Sequence, residues 1–400
     1  MSKLDDQKIL RLLNEVTGRP RGTDDFVPLH EPRFSGNEWV YVKECLNTGW
    51  VSSVGSYVDL FEEKVAEAFG VKKAICMVNG TAALHIALLM AGVAENDEVI
   101  VPALTFVASA NAITYCRAIP HFVDSELATL GLDPDALDSW LDEVAEFREN
   151  ETFNRRTGRR IAAIVPMHTF GHPVRMSRLL EVAAKWSIPV VEDAAESIGS
   201  RLNGNLLGGL GLVGATSFNG NKTITTGGGG ALLTNDIDLA NKAKHIATTA
   251  KKPHKWRFYH DRLGFNYRLP NINAALGCAQ LEQVSEVIAA KRHLALAYEA
   301  AFKDIEGLRF VVEPEHSQSN YWLNAVILDD PSARDPFLEV TNEQGFGTRP
   351  CWMLMNELPM YRNCPSSPLS ISQSISSRLV NIPSSAYLGL KFVKSSAHHN

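Results

Sequence analysis

Ile9, Leu10, Leu12 and Leu13 recur at helical spacing within residues 5–16 and give that segment one apolar face. The stretch from Pro28 to Gly36 has no period, and helices are expected over 38–48 and 58–68. From residue 72 the pattern alternates. AICMV (74–78) is a short apolar run, Asn79-Gly80 is a turn, and residues 81–92 have helical length. Strand-like runs at 98–103, 118–124, 161–168 and 188–193 are interleaved with helix-like runs at 105–116 and 176–187. Strands separated by helices of this length predict a parallel sheet covered on both faces. Its crossovers are right-handed, and ligands gather at the carboxyl ends of its strands.

After residue 206 the texture changes. GATSFN and GALLTN flank NKTITTGG, which suggests two neighbouring strands joined by a functional loop. A basic connection follows at 247–262, then one long helical pattern from Asn273 to Ala301. The last hundred residues mix strands (FVVE, WLNAVIL) with helices, as a smaller α/β domain would. The Ser/His-rich tail from Lys391 is expected to fray. The organisation read from these shifts is an N-terminal helical segment (1–30), a large domain (31–250), and a connection with a small C-terminal domain (251–400).

Composition narrows the classes. Of 400 residues, 45% are hydrophobic and 21% charged, ordinary for a globular enzyme. Lys plus Arg is 39 against 45 Asp plus Glu, a net charge of −6, so no nucleic-acid partner is expected. The six cysteines are scattered without a C-x-x-C, which fits a reducing compartment and no metal site. The N-terminus lacks a signal-peptide pattern, and no apolar run approaches membrane-spanning length. A cytoplasmic enzyme is the expectation. EFRENETFNRRTGRR (146–160) carries four arginines in its last six residues. In an acidic chain it reads as a solvated loop between a helix and a strand.

Two motifs are decoys. Gly209, Gly211 and Gly214 match G-x-G-x-x-G but open a strand-like run, not a helix, so a nicotinamide cofactor is not expected. His168 and His172 have the spacing of helical zinc ligands, but Gly171 and Pro173 forbid the helix. At a strand end, His168 can face a substrate or serve in packing.

Three segments carry chemistry. Asn79-Gly80-Thr81-Ala82 is a strand-to-helix turn whose unpaired N–H groups suit a phosphate. Asp193 ends an apolar strand in VEDAAE, where a buried carboxylate needs a cationic partner. Lys222 follows a strand in SFNGNKTITTGGGG; by position alone it reads as a surface lysine. Together the three describe a pyridoxal phosphate site: a lysine for the Schiff base, a carboxylate for the pyridine nitrogen, and a phosphate cradle.

At this point the sequence resembles a known family. GWVSSVGSYVDLFE, NGTAALHIAL, DEVIVPALTFVASANAI, AIPHFVD, VEDAAES, SFNGNKTITTGGGG and GFNYRLPNINAALGCAQLE follow, in order, the DegT/DnrJ/EryC1/StrS sugar aminotransferases. The resemblance implies the aspartate-aminotransferase-like fold type I, an α/β large domain with a mostly parallel mixed sheet plus the smaller C-terminal α/β domain. It implies Lys222 as the Schiff-base lysine, Asp193 as the pyridinium partner and Glu196 beside the phenolic oxygen. Phe106 would stack on the ring. Gly80, Thr81, Ala82 and Ser217 would hold the phosphate, with Asn266 reaching in from the other subunit of a homodimer with shared active sites. The family often has a glutamate in the Gly-rich run after the lysine, where this chain has Gly228. Members with His at the lysine position act as dehydratases or regulators, a pattern that Lys222 excludes.

Loop segments (28–55 and 251–282) further resemble the branch that makes UDP-linked 4-amino-4,6-dideoxy-N-acetyl sugars of the bacillosamine and legionaminate type. The implied reaction is amination of a UDP-linked 4-keto-6-deoxy-N-acetylhexosamine, with L-glutamate giving 2-oxoglutarate. The alternatives are a 3-keto or GDP-linked hexose, or a sugar dehydratase. Trp256, Arg257, Arg268 and Arg349, with His168, are candidate substrate contacts; the arginines could equally form structural ion pairs, and 250–268 could equally be a solvated linker.

Overall fold

The computed structural model of the chain describes residues 5–19 and 25–396. Seven strands build the central sheet: β1 (Lys73–Met77), β2 (Glu98–Pro102), β3 (Ile119–Val123), β4 (Ile161–Ile164), β5 (Val191–Asp193), β6 (Val213–Ser217) and β7 (Gly230–Thr234). β2 pairs in parallel with β3 and β4, and β5 with β6. Parallel bridges at Ile164–Val190 and Met167–Asp193 carry the pairing from β4 to β5. β7 lies antiparallel between β6 and β1. The order is therefore β3-β2-β4-β5-β6-β7-β1, with β7 alone reversed. Every residue of β2, β4 and β7 is buried, as expected for strands covered on both faces.

Helices α1 (Asp6–Thr17), α2 (Glu38–Thr48) and α3 (Ser56–Phe69) precede the sheet. The crossover helices are α4 (Gly80–Met90), α5 (Val107–Tyr115), α6 (Pro134–Val144), α7 (Met176–Lys185) and α8 (Ile237–Ala247). α4 is apolar nearly all round, because it packs between the sheet and both α5 and α8. The long pattern from Asn273 is two helices, α9 (Asn271–Glu282) and α10 (Val284–Phe302), separated by Gln283 at φ −108°, ψ 0°. A second sheet follows, β8 (Leu308–Phe310), β9 (Asn324–Leu328), β10 (Arg349–Pro350) and β11 (Leu379–Ile382), antiparallel in the order β8-β9-β11-β10. It carries α11 (Arg334–Glu343), α12 (Ser370–Arg378) and α13 (Ala386–Ser396). α1 packs on this later part: Ile9, Leu13 and Val16 share a core with Leu294, Tyr298 and Phe302.

Two expectations are corrected. Lys391 lies within α13, so the frayed tail does not begin there; residues 397–400 lie outside the described residues. The arginine-rich segment is not a plain loop. It forms a hairpin (145–148 with 151–154), and Arg160 turns back to pair with Asp97 at 2.6 Å and Glu151 at 2.8 Å. No described helix is long and apolar enough to cross a membrane.

Candidate active site

The carboxyl ends of β1, β5 and β6 open into one cavity of about 430 Å³. Its first wall is the N-terminus of α4. Asn79 caps the helix, its Oδ1 accepting from Ala82 N at 2.7 Å. Ala82 itself is buried and its N–H donates to that cap. Gly80 and Thr81 remain facing the cavity, beside Ser217. A Cβ on Gly80 would come within 2.8 Å of the Ser217 Cβ, so glycine is what lets the helix end and β6 close into a cradle.

Asp193 ends β5 at the cavity floor. Ser109 Oγ donates to its Oδ2 at 2.7 Å and Ala195 N to its Oδ1 at 3.2 Å. Burial pushes the Asp193 carboxyl above its ordinary range, against the pull of Ser109, Ala195 and Lys222. Among the described residues no cation forms an ion pair with it, so a protonated ring nitrogen would supply the missing partner. Glu196 meets Lys222 instead, Nζ to Oε1 at 3.0 Å, and its Oε2 accepts from Phe170 N at 2.8 Å. Burial raises the Glu196 carboxyl to about 7, with Lys222 opposing. To present that N–H, Phe170 adopts φ +57°, an uncommon backbone for a bulky residue.

Lys222 stands on the loop after β6, and the side of the cavity above it is aromatic. Its Nζ lies 3.8 Å from the centroid of the Trp322 ring. Trp352 packs 5.1 Å from Phe170 and 6.1 Å from Phe106, centroid to centroid. Phe106, 46% exposed, projects into the cavity where a flat ring could be stacked. The lysine, the uncompensated buried carboxylate, the aromatic platform and the glycine-built cradle fit pyridoxal phosphate.

Other expected residues lie elsewhere. His168 is fully buried behind the floor: its Nε2 meets Glu192 Oε2 at 3.1 Å and its Nδ1 accepts from Val174 N. It packs and does not face the cavity, which corrects the substrate-facing alternative. Glu192 also accepts from the N–H groups of Gly208, Leu210 and Gly211, so the Gly-rich decoy wraps a buried carboxylate. Burial raises that carboxyl, but His168 and the backbone N–H groups outweigh it and leave Glu192 lowered. Arg349 is exposed on β10 and bonds Asn342 Oδ1 and Thr348 O. Arg268 bonds Asn266 Oδ1, and neither residue lines this chain's own cavity. Trp256 and Arg257 are exposed beyond its mouth.

The fold and site define a fold type I, pyridoxal phosphate-dependent aminotransferase. The match to the DegT/DnrJ/EryC1/StrS aminotransferase family model spans residues 33–396, and the chain belongs to that family. It is 37% identical over 360 residues to GDP-perosamine synthase of Escherichia coli O157:H7, covering 90% of this chain and 93% of the relative. It is 38% identical over 362 residues to GDP-perosamine synthase of Caulobacter vibrioides, covering 89% and 92%. The crystal structure of DesI in the presence of its TDP-sugar product superposes with a TM-score of 0.80 at 26% identity, covering 97% of this chain and 99% of that one. These relatives are named for a GDP-linked sugar, and so favour the GDP-linked alternative over the UDP-bacillosamine-type branch.

Sequence reasoning missed Ser109, Trp322 and Trp352. Ser109 sits in the quoted TFVASANAI run, where the one-turn spacing from Thr105 puts two hydroxyls on one face; Thr105 Oγ1 and Ser109 Oγ lie 2.9 Å apart. The two tryptophans lie a hundred residues or more beyond Lys222, and no local motif announces them.

Proposed function

We propose that the protein transfers the amino group of L-glutamate to the keto carbon of a GDP-linked 4-keto-6-deoxyhexose. The observation that carries this is the convergence of Lys222, Asp193 and the Gly80–Thr81 turn on one cavity, in a chain most of whose length matches two GDP-perosamine synthases. Amination at C4 is carried from the loop resemblance.

When bound, pyridoxal phosphate supplies an electron sink for charge developing on the reacting carbon. Each residue has a part. The N–H groups of Gly80 and Thr81 and the Ser217 hydroxyl would hold the phosphate, with the α4 dipole behind them. Asp193, held by Ser109, would keep the ring nitrogen protonated. Phe106 would lie against one ring face and Glu196 beside the phenolic oxygen. Lys222 would hold the cofactor and, once released, move a proton at the substrate carbon. Phe170, Trp322 and Trp352 would exclude water.

The functional unit in this reading is a homodimer, with the partner's phosphate cradle completed by Asn266. What supports it is a set of large apolar side chains left in solvent: Trp39 at 77%, Trp256 at 74%, Phe258 at 82% and Leu263 at 85% exposure. Arg257 and Arg268 would then meet substrate diphosphate across the interface. In this reading residues 31–250 form the cofactor-binding domain and 251–400 the connection and smaller domain.

The test presents GDP-4-keto-6-deoxyhexose, UDP-4-keto-6-deoxy-N-acetylhexosamine and a UDP-3-keto hexose at equal concentration with glutamate, and identifies the amino sugar by NMR. The GDP 4-keto sugar should be preferred. A preference for either UDP sugar overturns the nucleotide, and no 2-oxoglutarate with any of them overturns the transaminase.

A further inference from the structure

Lys291 is fully buried in the middle of α10. A buried ammonium is normally paired with a carboxylate, yet among the described residues none forms an ion pair with it. Its Nζ instead donates to two backbone carbonyls, Trp322 O at 3.1 Å and Ser384 O at 2.5 Å. These carbonyls lie just before β9 and just after β11, so one side chain ties together two segments of the second sheet, the first of which brings Trp322 to the cavity. Trp322 is one bond from Lys291 and in contact with Lys222. Its indole N–H donates to Asn221 O at 2.7 Å, on the residue before the lysine, and its ring lies under the Lys222 Nζ. Its own N–H is fixed by Asn320 Oδ1 at 2.8 Å. A structural tie placed at random has no reason to end on the one residue that touches both the Lys222 loop and the Lys222 amine.

We propose that Lys291 and Trp322 form a positioning unit for Lys222: Lys291 seats Trp322, and Trp322 holds both the loop and the amine in the geometry that captures the cofactor. This rests on the reading of Lys222 as the cofactor lysine. The indole face packs against the Lys222 amine and limits where it can point, and the indole N–H keeps the loop backbone from turning away. Lys222 is also faced by Glu196 at 3.0 Å. Lys291 therefore acts through Trp322 and does not itself touch the reacting atoms.

The experiment uses the apoprotein and follows the rate of pyridoxal phosphate capture by absorbance, with the visible circular dichroism of the bound cofactor and the thermal midpoint as companions. Trp322→Leu removes the anchor to Asn221 O and should slow capture about fivefold, the scale of one hydrogen bond, and weaken the dichroic band. Trp322→Phe keeps a ring face and should fall between. Lys291→Met should change rate and band in the same sense, and Lys291→Met with Trp322→Leu should be no slower than Trp322→Leu alone. If Lys291→Met does not fold, Lys291→Gln takes its place, since a buried amide can still reach one carbonyl. The proposal is overturned if the Lys291 variant lowers the thermal midpoint while capture and dichroism stay as in the parent, if the two effects multiply, or if Trp322→Leu matches the parent. A parent protein that captures no cofactor at all overturns the reading of Lys222 instead.

Discussion

Single residues in this chain are governed by what burial does to charge. Asp193, Glu196, Glu192 and Lys291 are all buried, and each finds a different resolution: a serine hydroxyl with one backbone N–H, a lysine, a ring of backbone N–H groups and two carbonyls. His172 shows the cost in isolation. Burial holds its imidazole down to about 4 from an ordinary 6.5, with Glu313 opposing, and its Nδ1 has no hydrogen-bond partner. The unfolded chain takes up this proton near 6.5 while the folded chain resists until about 4. The stability it contributes is therefore complete above 6.5 and is lost as pH falls through that window. His172→Phe should flatten the acid side of the stability profile between those values, measured by urea unfolding at several pH values. An unchanged slope would mean that His172 is not the residue titrating. The same scale shows what the sequence could announce. Lys222 and Asp193 were legible because their neighbours are distinctive. The Asn79 cap on Ala82 was not legible, because the string NGTA does not say which N–H the cap takes. Trp322 was silent, because its role exists only once β9 is laid beside the Lys222 loop.

At the scale of elements, the alternation of apolar runs and turns gave the strand sequence of the large sheet and the adjacency of β6 and β7 around Lys222. It implied a helix before residue 146 but gave α6 no bounds, although Asp133-Pro134 is a helix-start pattern in which Asp133 Oδ1 accepts from Asp135 N. It joined α9 to α10, because the break at Gln283 has neither glycine nor proline to mark it. Parallel order and register were illegible for a general reason: they are set by packing between segments distant in sequence. The element that matters most for chemistry is the first turn of α4. Asn79→Ala removes its cap and should cost about 1 kcal/mol of stability. Because the same turn is the proposed phosphate cradle, the variant should also release pyridoxal phosphate more readily on dialysis. A variant that is destabilised but holds the cofactor as firmly as the parent would separate the cap from the cradle.

At the scale of the whole molecule, the proposed homodimer rests on the exposed large apolar side chains and on Asn266 not lining its own chain's cavity. Lys222→Ala leaves a site without its amine. Asn266→Asp puts a carboxylate where a phosphate would approach, and like charges repel. Each homodimer should be inactive. Co-refolding the two should restore activity in the heterodimer, which holds one site with both native residues. Heterodimers that form, as shown by differential tags, yet remain inactive would place Asn266 outside the shared site. The second sheet belongs to the account at this scale too, since Lys291 reaches from α10 to Trp322 O only because α10 packs against that sheet.

The account stands on the identity of one amine. Purified protein loaded with pyridoxal phosphate is reduced with borohydride, digested and mapped by mass spectrometry. The account predicts a phosphopyridoxyl group on the peptide containing Lys222 and on no other lysine, and none in the Lys222→Ala variant. Modification of a different lysine, or undiminished labelling after Lys222→Ala, would contradict it.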